Sequence, residues 1–278
     1  MDSKPPDAKV TLPGLTAMKR DGQKIVGVVA WDVQMAQIAD RAGVDLVSVG
    51  DTVGANLWGQ PNPLEITLEQ LLIVAQAVRR GVRRALVSCD FPFGPLQEGV
   101  GAALRAAVRL VKEAGVDMVK LDGAPDYPEA VTEVVRAGIP VFAQFGITPH
   151  TALRHGVTYS ATSSGGTVPE ELCEEMVAEA RRLESAGASL LNFTNSGPVV
   201  GAAVTRAVSI PVLGGHGGGP WLDGRVRLAT TAIGYGATNL DEPAPESYAN
   251  VAQVAADAIS AYATDVRAGR HVRGGTPA

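Results

Sequence analysis

The chain has 278 residues, 46% of them hydrophobic, with 32 Gly and 18 Pro, a composition that fits a globular, turn-rich protein packed with Ala and Val and excludes a disordered one. Its net charge of −5, without a basic cluster or aromatic residues interleaved among basic ones, argues against a nucleic-acid partner. No apolar run reaches signal or transmembrane length, and Cys89 and Cys173 stand far apart without metal-ligand spacing; the expectation is a cytoplasmic chain with no membrane association and no disulfide.

After a polar arm over 1–24, Ile25–Ala30 reads as a strand and Gln34–Arg41 as a helix ended by Gly43. The unit then repeats. Asp45–Val49 is a second strand and Thr67–Arg80 a helix capped by Thr67, with Glu69 and Gln70 in its first turn. Strand three is expected at Ala85–Asp90 with its helix at Gln97–Glu113, and strand four at Val116–Leu121 with its helix at Tyr127–Ala137. Ile139–Phe145 is strand five. The Gly- and Ser/Thr-rich stretch from His155 to Thr167 is too polar for a core element, and a lid spanning 150–168 is expected. A long amphipathic helix over Pro169–Ala186, strand six at Ser189–Phe193, strand seven at Ile210–Leu213 and a weak strand eight at Val226–Ala232 complete the pattern. The phrase Ala-Gly followed by an apolar residue recurs at Ala42-Gly43, Ala114-Gly115, Ala137-Gly138 and Ala186-Gly187, each read as a helix C-terminus closed by Gly before a buried strand. Strands alternating with helices in this way predict a single-domain (βα)8 TIM barrel over 25–278. The alternative, a doubly wound sheet, calls for a glycine-rich phosphate turn after the first strand, where Ala30-Trp31-Asp32-Val33 stands instead.

Three of these strands end on a carboxylate: Val49-Gly50-Asp51-Thr52, Cys89-Asp90-Phe91 and Lys120-Leu121-Asp122-Gly123. Chemistry in parallel α/β folds sits at strand C-termini, and three converging carboxylates repel one another unless a cation or proton neutralises them. Asp51, Asp90 and Asp122 therefore outline a hard-cation site. The plainer alternatives are loop capping for Asp51 and Asp90, a surface salt bridge for Lys120, and neutralisation of Lys120 for Asp122.

The motifs Ala39-Asp40-Arg41-Ala42-Gly43-Val44-Asp45, Val49-Gly50-Asp51-Thr52-Val53-Gly54, Asp90-Phe91-Pro92-Phe93-Gly94, Val119-Lys120-Leu121-Asp122-Gly123 and Gly146-Ile147-Thr148-Pro149-His150 resemble those of the ketopantoate hydroxymethyltransferase (3-methyl-2-oxobutanoate hydroxymethyltransferase) family. The likeness continues through Ser209-Ile210-Pro211-Val212, Asp223-Gly224-Arg225 and Val266-Arg267-Ala268-Gly269, and so covers almost the whole chain. That family is related to the phosphoenolpyruvate mutase and isocitrate lyase barrels. The resemblance implies a Mg²⁺-dependent enzyme of pantothenate biosynthesis that enolises 2-oxoisovalerate or a similar branched 2-oxo acid and adds a hydroxymethyl unit from methylenetetrahydrofolate, in a homo-oligomer. It implies Asp51 and Asp90 as metal ligands that also meet the substrate, with Asp122 near the metal in place of a Glu. By the same resemblance Thr52 binds the substrate carboxylate and Lys120 contacts the 2-oxo acid. Mn²⁺ satisfies the same oxygen ligands.

The pattern breaks where protons are handled. Gln144 stands in place of a family His, and Gln does not titrate. Thr194 or Asn195 falls where the family carries a proton-transferring Glu, and neither is a carboxylate base. His216, inserted in Leu213-Gly214-Gly215-His216-Gly217, is a candidate relocated acid/base, with His150 and His155 beside the lid as further candidates. Trp31, in place of a family Tyr, enlarges an apolar wall near the barrel mouth. The expected catalytic group is thus Asn195, Thr194 and His216. Two other readings stay open: a divergent aldolase or C–C lyase on another 2-oxo acid, and a non-catalytic barrel that binds a metal and a metabolite.

Overall fold

A computed structural model describes residues 8–156, 167–242 and 246–270. Eight parallel strands close into a barrel in sequence order: β1 (Ile25–Val29), β2 (Leu46–Val49), β3 (Leu86–Asp90), β4 (Met118–Asp122), β5 (Val141–Gly146), β6 (Leu190–Thr194), β7 (Val212–Gly214) and β8 (Gly224–Leu228). The expected TIM barrel is what the chain forms. Every residue of β2, β3 and β6 is buried, as expected for strands covered by the barrel interior on one face and by helices on the other.

The connecting helices are α2 (Val33–Arg41), α3 (Val53–Trp58), α4 (Leu68–Gly81), α5 (Val100–Ala114), α6 (Pro128–Arg136), α7 (Cys173–Ser185) and α8 (Pro198–Ala207), preceded by α1 (Leu12–Arg20). Thr67 caps α4 through a complete capping box with Gln70. The four Ala-Gly helix ends all carry the glycine in the left-handed region, with φ of 88° at Gly43, 70° at Gly115, 84° at Gly138 and 95° at Gly187.

Several elements depart from the sequence reading. The polar arm contains α1, whose Thr11 side chain accepts from Gly14 N and whose Pro13 sits in the first turn, where its missing N–H costs no bond. Strands five and seven begin two residues later than expected, at Val141 and Val212, directly after Pro140 and Pro211, which have no N–H for the ladder. Strand eight spans Gly224–Leu228 rather than Val226–Ala232, and Ala229–Ile233 turns into a short helix, α9. The seam decides this: a Cβ at Gly224 would collide with the Ile25 carbonyl, so the glycine lets β8 approach β1. The expected helix over Pro169–Ala186 is one 3₁₀ turn, Glu170–Leu172, followed by α7. Of the expected lid, residues 157–166 lie outside the described residues.

The chain divides into two compact units, Met1–Arg227 and Leu228–Ala278. The second contains α9, a 3₁₀ turn at Ala237–Leu240 and α10 (Val251–Arg267), capped by Asn250, whose side chain accepts from Gln253 N and donates to Asn239 O at 3.1 Å. Among the described residues no helix is long and apolar enough to cross a membrane, and Cys89 and Cys173 are free.

Two side-chain pairs fix which strand positions face the interior. On the outer face Phe145 and Phe193 stack with centroids 4.5 Å apart. On the inner face Ser88 Oγ donates to Ser48 Oγ at 2.8 Å. Registered neighbours in a parallel sheet share a face and alternate along each strand. The registers Asp90↔Lys120, Asp122↔Gln144 and Gln144↔Asn192 therefore put Asp90, Lys120, Asp122, Gln144 and Asn192 on the inner face, with Asp90 and Asp122 at the C-terminal ends of their strands.

Candidate active site

Asp51 follows β2 in the turn that opens α3, and Asp90 is the last residue of β3. Both are buried, and Asp51 N donates to Asp90 Oδ2 at 3.4 Å. From β4, Lys120 Nζ donates to the same Asp90 oxygen at 3.0 Å. The Lys120 alternative of a solvated surface bridge fails, because this ion pair is almost fully enclosed, with side-chain exposures of 11% and 10%. Burial pushes Asp90 up to about 6, against the pull of Lys120. Burial also works against the Lys120 charge, but Asp90 and Asp51 outweigh it and hold the ammonium above its ordinary range.

Asp122 does not join Lys120 by a direct bond. Its partner is His150, which the sequence reading placed beside the lid. Reciprocal bonds between Thr148 and Thr151, with Thr148 N to Thr151 Oγ1 at 3.2 Å and Thr151 N to Thr148 Oγ1 at 3.3 Å, form the turn after β5 that carries His150 inward. The ring, 4% exposed, spans two carboxylates: Nε2 lies 3.2 Å from Asp51 Oδ2 and Nδ1 3.8 Å from Asp122 Oδ2. His150 N also donates to Asp122 Oδ2 at 3.3 Å, and Phe93 meets the ring edge-on at 5.6 Å. Burial alone would lower His150, but Asp122 and Asp51 carry it up to about 9. Burial likewise raises Asp122, partly offset by His150.

Thr52 begins α3 without a side-chain capping bond, which leaves its hydroxyl free of that structural role. Thr194 ends β6 fully buried. Asn195, at φ 57°, donates its side chain to Ile147 O at 3.0 Å and its N–H to His216 O at 2.7 Å, so it ties the β5 and β7 loops to β6. Neither side chain titrates. His216 lies within electrostatic reach of Lys120, Asp51 and Arg225; burial, reinforced by Lys120, holds it below the ordinary histidine value. The side chain of His155 lies outside the described residues. Trp31, directly after β1, is buried, as an apolar wall requires, with Nε1 unpartnered.

Among the described residues, no three His, Cys, Asp or Glu side chains group closely enough to hold a metal ion by themselves. The three carboxylates thus do not form a ligand set of equals: Asp51 and Asp90 adjoin, while Asp122 is linked to Asp51 through the His150 ring that contacts both. Asp90 Oδ1 and Asp122 Oδ1 are nonetheless buried acceptors with no partner. The open oxygen of Asp90, with Asp51 adjoining it, fits a hard cation that keeps most of its waters. Sequence reasoning missed the His150 bridge and the inward Asn192. The second had a signal, a lone polar residue in the run Leu190-Leu191-Asn192-Phe193.

The ketopantoate hydroxymethyltransferase family model matches residues 9–272. The chain belongs to this family. Curated relatives named 3-methyl-2-oxobutanoate hydroxymethyltransferase include one from Cyanothece sp., 38% identical over 259 residues and covering 93% of this chain and 96% of its own, and one from Salinibacter ruber at 38% with 93% and 95% covered. Family membership makes the chain an enzyme of the hydroxymethyltransferase class, whose relatives are named for hydroxymethyl transfer to a 2-oxo acid. Among solved structures, a 2,3-dimethylmalate lyase described as a PEP mutase/isocitrate lyase superfamily member superposes with TM-score 0.60 at 17% identity, covering 96% of this chain and 92% of that one. A putative lyase/mutase from Burkholderia cenocepacia J2315 does so with TM-score 0.59 at 20% identity, covering 95% and 89%. Those two likenesses concern the barrel fold.

Proposed function

We propose that this hydroxymethyltransferase-family barrel enolises a branched 2-oxo acid of the 2-oxoisovalerate class and adds to it a hydroxymethyl unit from methylenetetrahydrofolate. The observation that carries the reading is the enclosed Lys120–Asp90 pair beside Asp51, with Asp90 Oδ1 left unpartnered at the strand ends. Asp51 and Asp90 would hold Mg²⁺. When bound, the ion supplies positive charge at the keto oxygen, which acidifies the neighbouring C–H. The other parts belong to the chain. Lys120, held charged, faces the substrate's anionic oxygens, and Thr52 offers a hydroxyl to its carboxylate. His150, held cationic between Asp51 and Asp122, fixes those carboxylates in place and offsets their repulsion.

The neutral His216 imidazole is the proton acceptor in this scheme, because Thr194 and Asn195 cannot be. The C3–H bond breaks, its proton passes to His216, and its electron pair forms the C2=C3 bond as the carbonyl pair moves onto oxygen. Water adds to the methylene carbon as it leaves the folate nitrogens, which take up the hydrogens, and gives formaldehyde; the C3 pair then bonds to that carbon while its oxygen takes the proton back from His216, so that it ends as CH₂OH. We take the enzyme to act in pantothenate biosynthesis, in the cytoplasm and as a homo-oligomer, as the resemblance implies.

The test is incubation with Mg²⁺ and 2-oxoisovalerate in deuterated water, with C3–H exchange followed by NMR. Exchange should be present in the native protein and lost in Asp51→Ala and Asp90→Ala. Adding methylenetetrahydrofolate, or free formaldehyde in its place, separates a transferase from a simple aldolase. Metal binding without any exchange would refute the enolisation step.

A further inference from the structure

Asn192 is 4% exposed and sits on the inner face of β6, in register with Gln144 and, one strand further, Asp122. Its Nδ2 donates to Gln144 Oε1 at 3.2 Å, so the two amides pair directly. Its Oδ1 is buried and has no partner. The adjacent wall, just past β7, is glycine: a Cβ built on Gly215 would stand 3.7 Å from Asn192 Oδ1 and 3.9 Å from Nδ2, so position 215 leaves room beside the oxygen. The orphan acceptors Asp90 Oδ1, Asp122 Oδ1 and Asn192 Oδ1 thus lie on one inner face, with Asn192 two strand spacings from Asp122, about 10 Å between backbones, a span narrowed by the inward side chains.

A carboxylate oxygen can be satisfied by a cation, but a neutral amide oxygen in this position calls for an O–H or N–H donor. A saturated alkyl branch placed against it would leave the acceptor desolvated and unpaired. Resting on the functional reading above, we infer that Asn192, held by Gln144, is a specificity-determining residue that accepts a hydrogen bond from a hydroxyl on the carbon chain of the 2-oxo acid, beyond its keto group. Two sources supply that hydroxyl: a substrate that already carries it, or the CH₂OH group installed by the reaction. Sites built to pair with a hydroxyl discriminate strongly against the analogue that lacks it.

The experiment measures dissociation constants by ligand-observed NMR at fixed Mg²⁺ for 3-methyl-2-oxobutanoate, 4-hydroxy-3-methyl-2-oxobutanoate and 4-hydroxy-3,3-dimethyl-2-oxobutanoate. C3–H exchange of the first two is followed in deuterated water. Native protein should bind the hydroxylated acids about tenfold or more tightly than the alkyl acid. Asn192→Leu, similar in volume, should bring that ratio close to one. Faster exchange of the hydroxylated substrate than of the alkyl acid assigns the hydroxyl to an incoming substrate; tight binding of the dimethyl compound alone assigns it to the product. Equal affinities in the native protein would overturn the inference, since water alone then satisfies the amide, as would a preference that persists in Asn192→Leu. The native measurement decides even if the variant does not fold. Absence of exchange with either exchangeable acid refutes the functional reading instead, a result distinct from equal affinities accompanied by exchange.

Discussion

Replacing Lys120 by Met keeps most of the side-chain volume and removes the one cation bonded to Asp90, leaving a carboxylate with 10% side-chain exposure uncompensated. Breaking a buried pair in this way costs about 3–5 kcal/mol when the remaining partner is charged. The cost should depend on pH. Asp90 has an ordinary value of 3.8 and stands at about 6 in the folded metal-free protein, so the native state binds this proton more tightly than the unfolded state. The contribution of Asp90 to stability is therefore fully present below 3.8 and is lost as pH rises through about 6, a difference of about 3 kcal/mol at 1.36 kcal/mol per pH unit. Without Lys120 the proton binds more tightly still, and the loss extends to higher pH. Urea unfolding in the presence of a chelator, followed by the fluorescence of Trp31, Trp58 and Trp221, should show the variant destabilised by about 3–5 kcal/mol at pH 8. At pH 5, where Asp90 is mostly protonated in both proteins, the deficit should shrink to about 1 kcal/mol, the value of a hydrogen bond. Adding Asp90→Asn should recover most of the loss at pH 8. A deficit equal at both pH values, or a double variant as unstable as the sum of the singles, would show that Lys120 packs rather than neutralises.

Three further outcomes follow from particular contacts. The His150 ring should titrate near 9 in the metal-free protein, so its imidazolium stabilises the fold fully below 6.5 and ceases to as pH rises through about 9; an NMR midpoint at or below 6.5 would contradict the two-carboxylate bridge, and Asp122→Asn should lower the midpoint. Gly224→Ala drives a methyl group into the Ile25 carbonyl at the β1–β8 seam and should cost about 3 kcal/mol, read as a lower thermal midpoint, whereas Gly22→Ala, with open space around it, should cost less. Thr67→Ala removes the α4 capping box at a cost of about 1 kcal/mol, measurable by urea unfolding, and Thr67→Ser should restore it.

The barrel was legible because its signals are local and repeated: an apolar run, a turn, a periodic helix and an Ala-Gly stop whose glycine the structure places at positive φ each time. The misreadings also have local causes. Pro140 and Pro211 look like strand residues by hydropathy but lack the donor that the ladder needs. β8 begins two residues before the expected start because Gly224 allows a close approach to Ile25 across the seam, nearly 200 residues away in sequence. The same distinction divides the site. Asp51, Asp90 and Lys120 announce themselves at strand ends. The His150 bridge depends on a threonine-clamped turn that lays one ring between carboxylates from two other strands, and no spacing rule encodes that.

His150 and His216 carry the same ring into the same kind of enclosure, and burial by itself lowers both. What separates them is contact with carboxylate. His150 lies 3.2 Å from one carboxylate and 3.8 Å from another and is carried up to about 9. His216, on the glycine loop after β7, has Lys120 and Arg225 acting on it along with Asp51, and it falls below its ordinary value. In the metal-free protein the surroundings favour the charged ring at His150 and the neutral ring at His216. A cation cannot accept a C–H proton, and a neutral ring cannot offset two buried carboxylates. On the proposed scheme, the two tasks that a single carboxylate base and its surroundings would share would be divided between two histidines, on loops that Asn195 joins by its bonds to Ile147 O and His216 O. On that scheme Asn195, although it occupies the position expected of the base, would act by holding the loop of His216. Asn195→Asp, which removes the donor to Ile147 O, should disturb the His216 titration seen by NMR before it supplies any proton acceptor of its own.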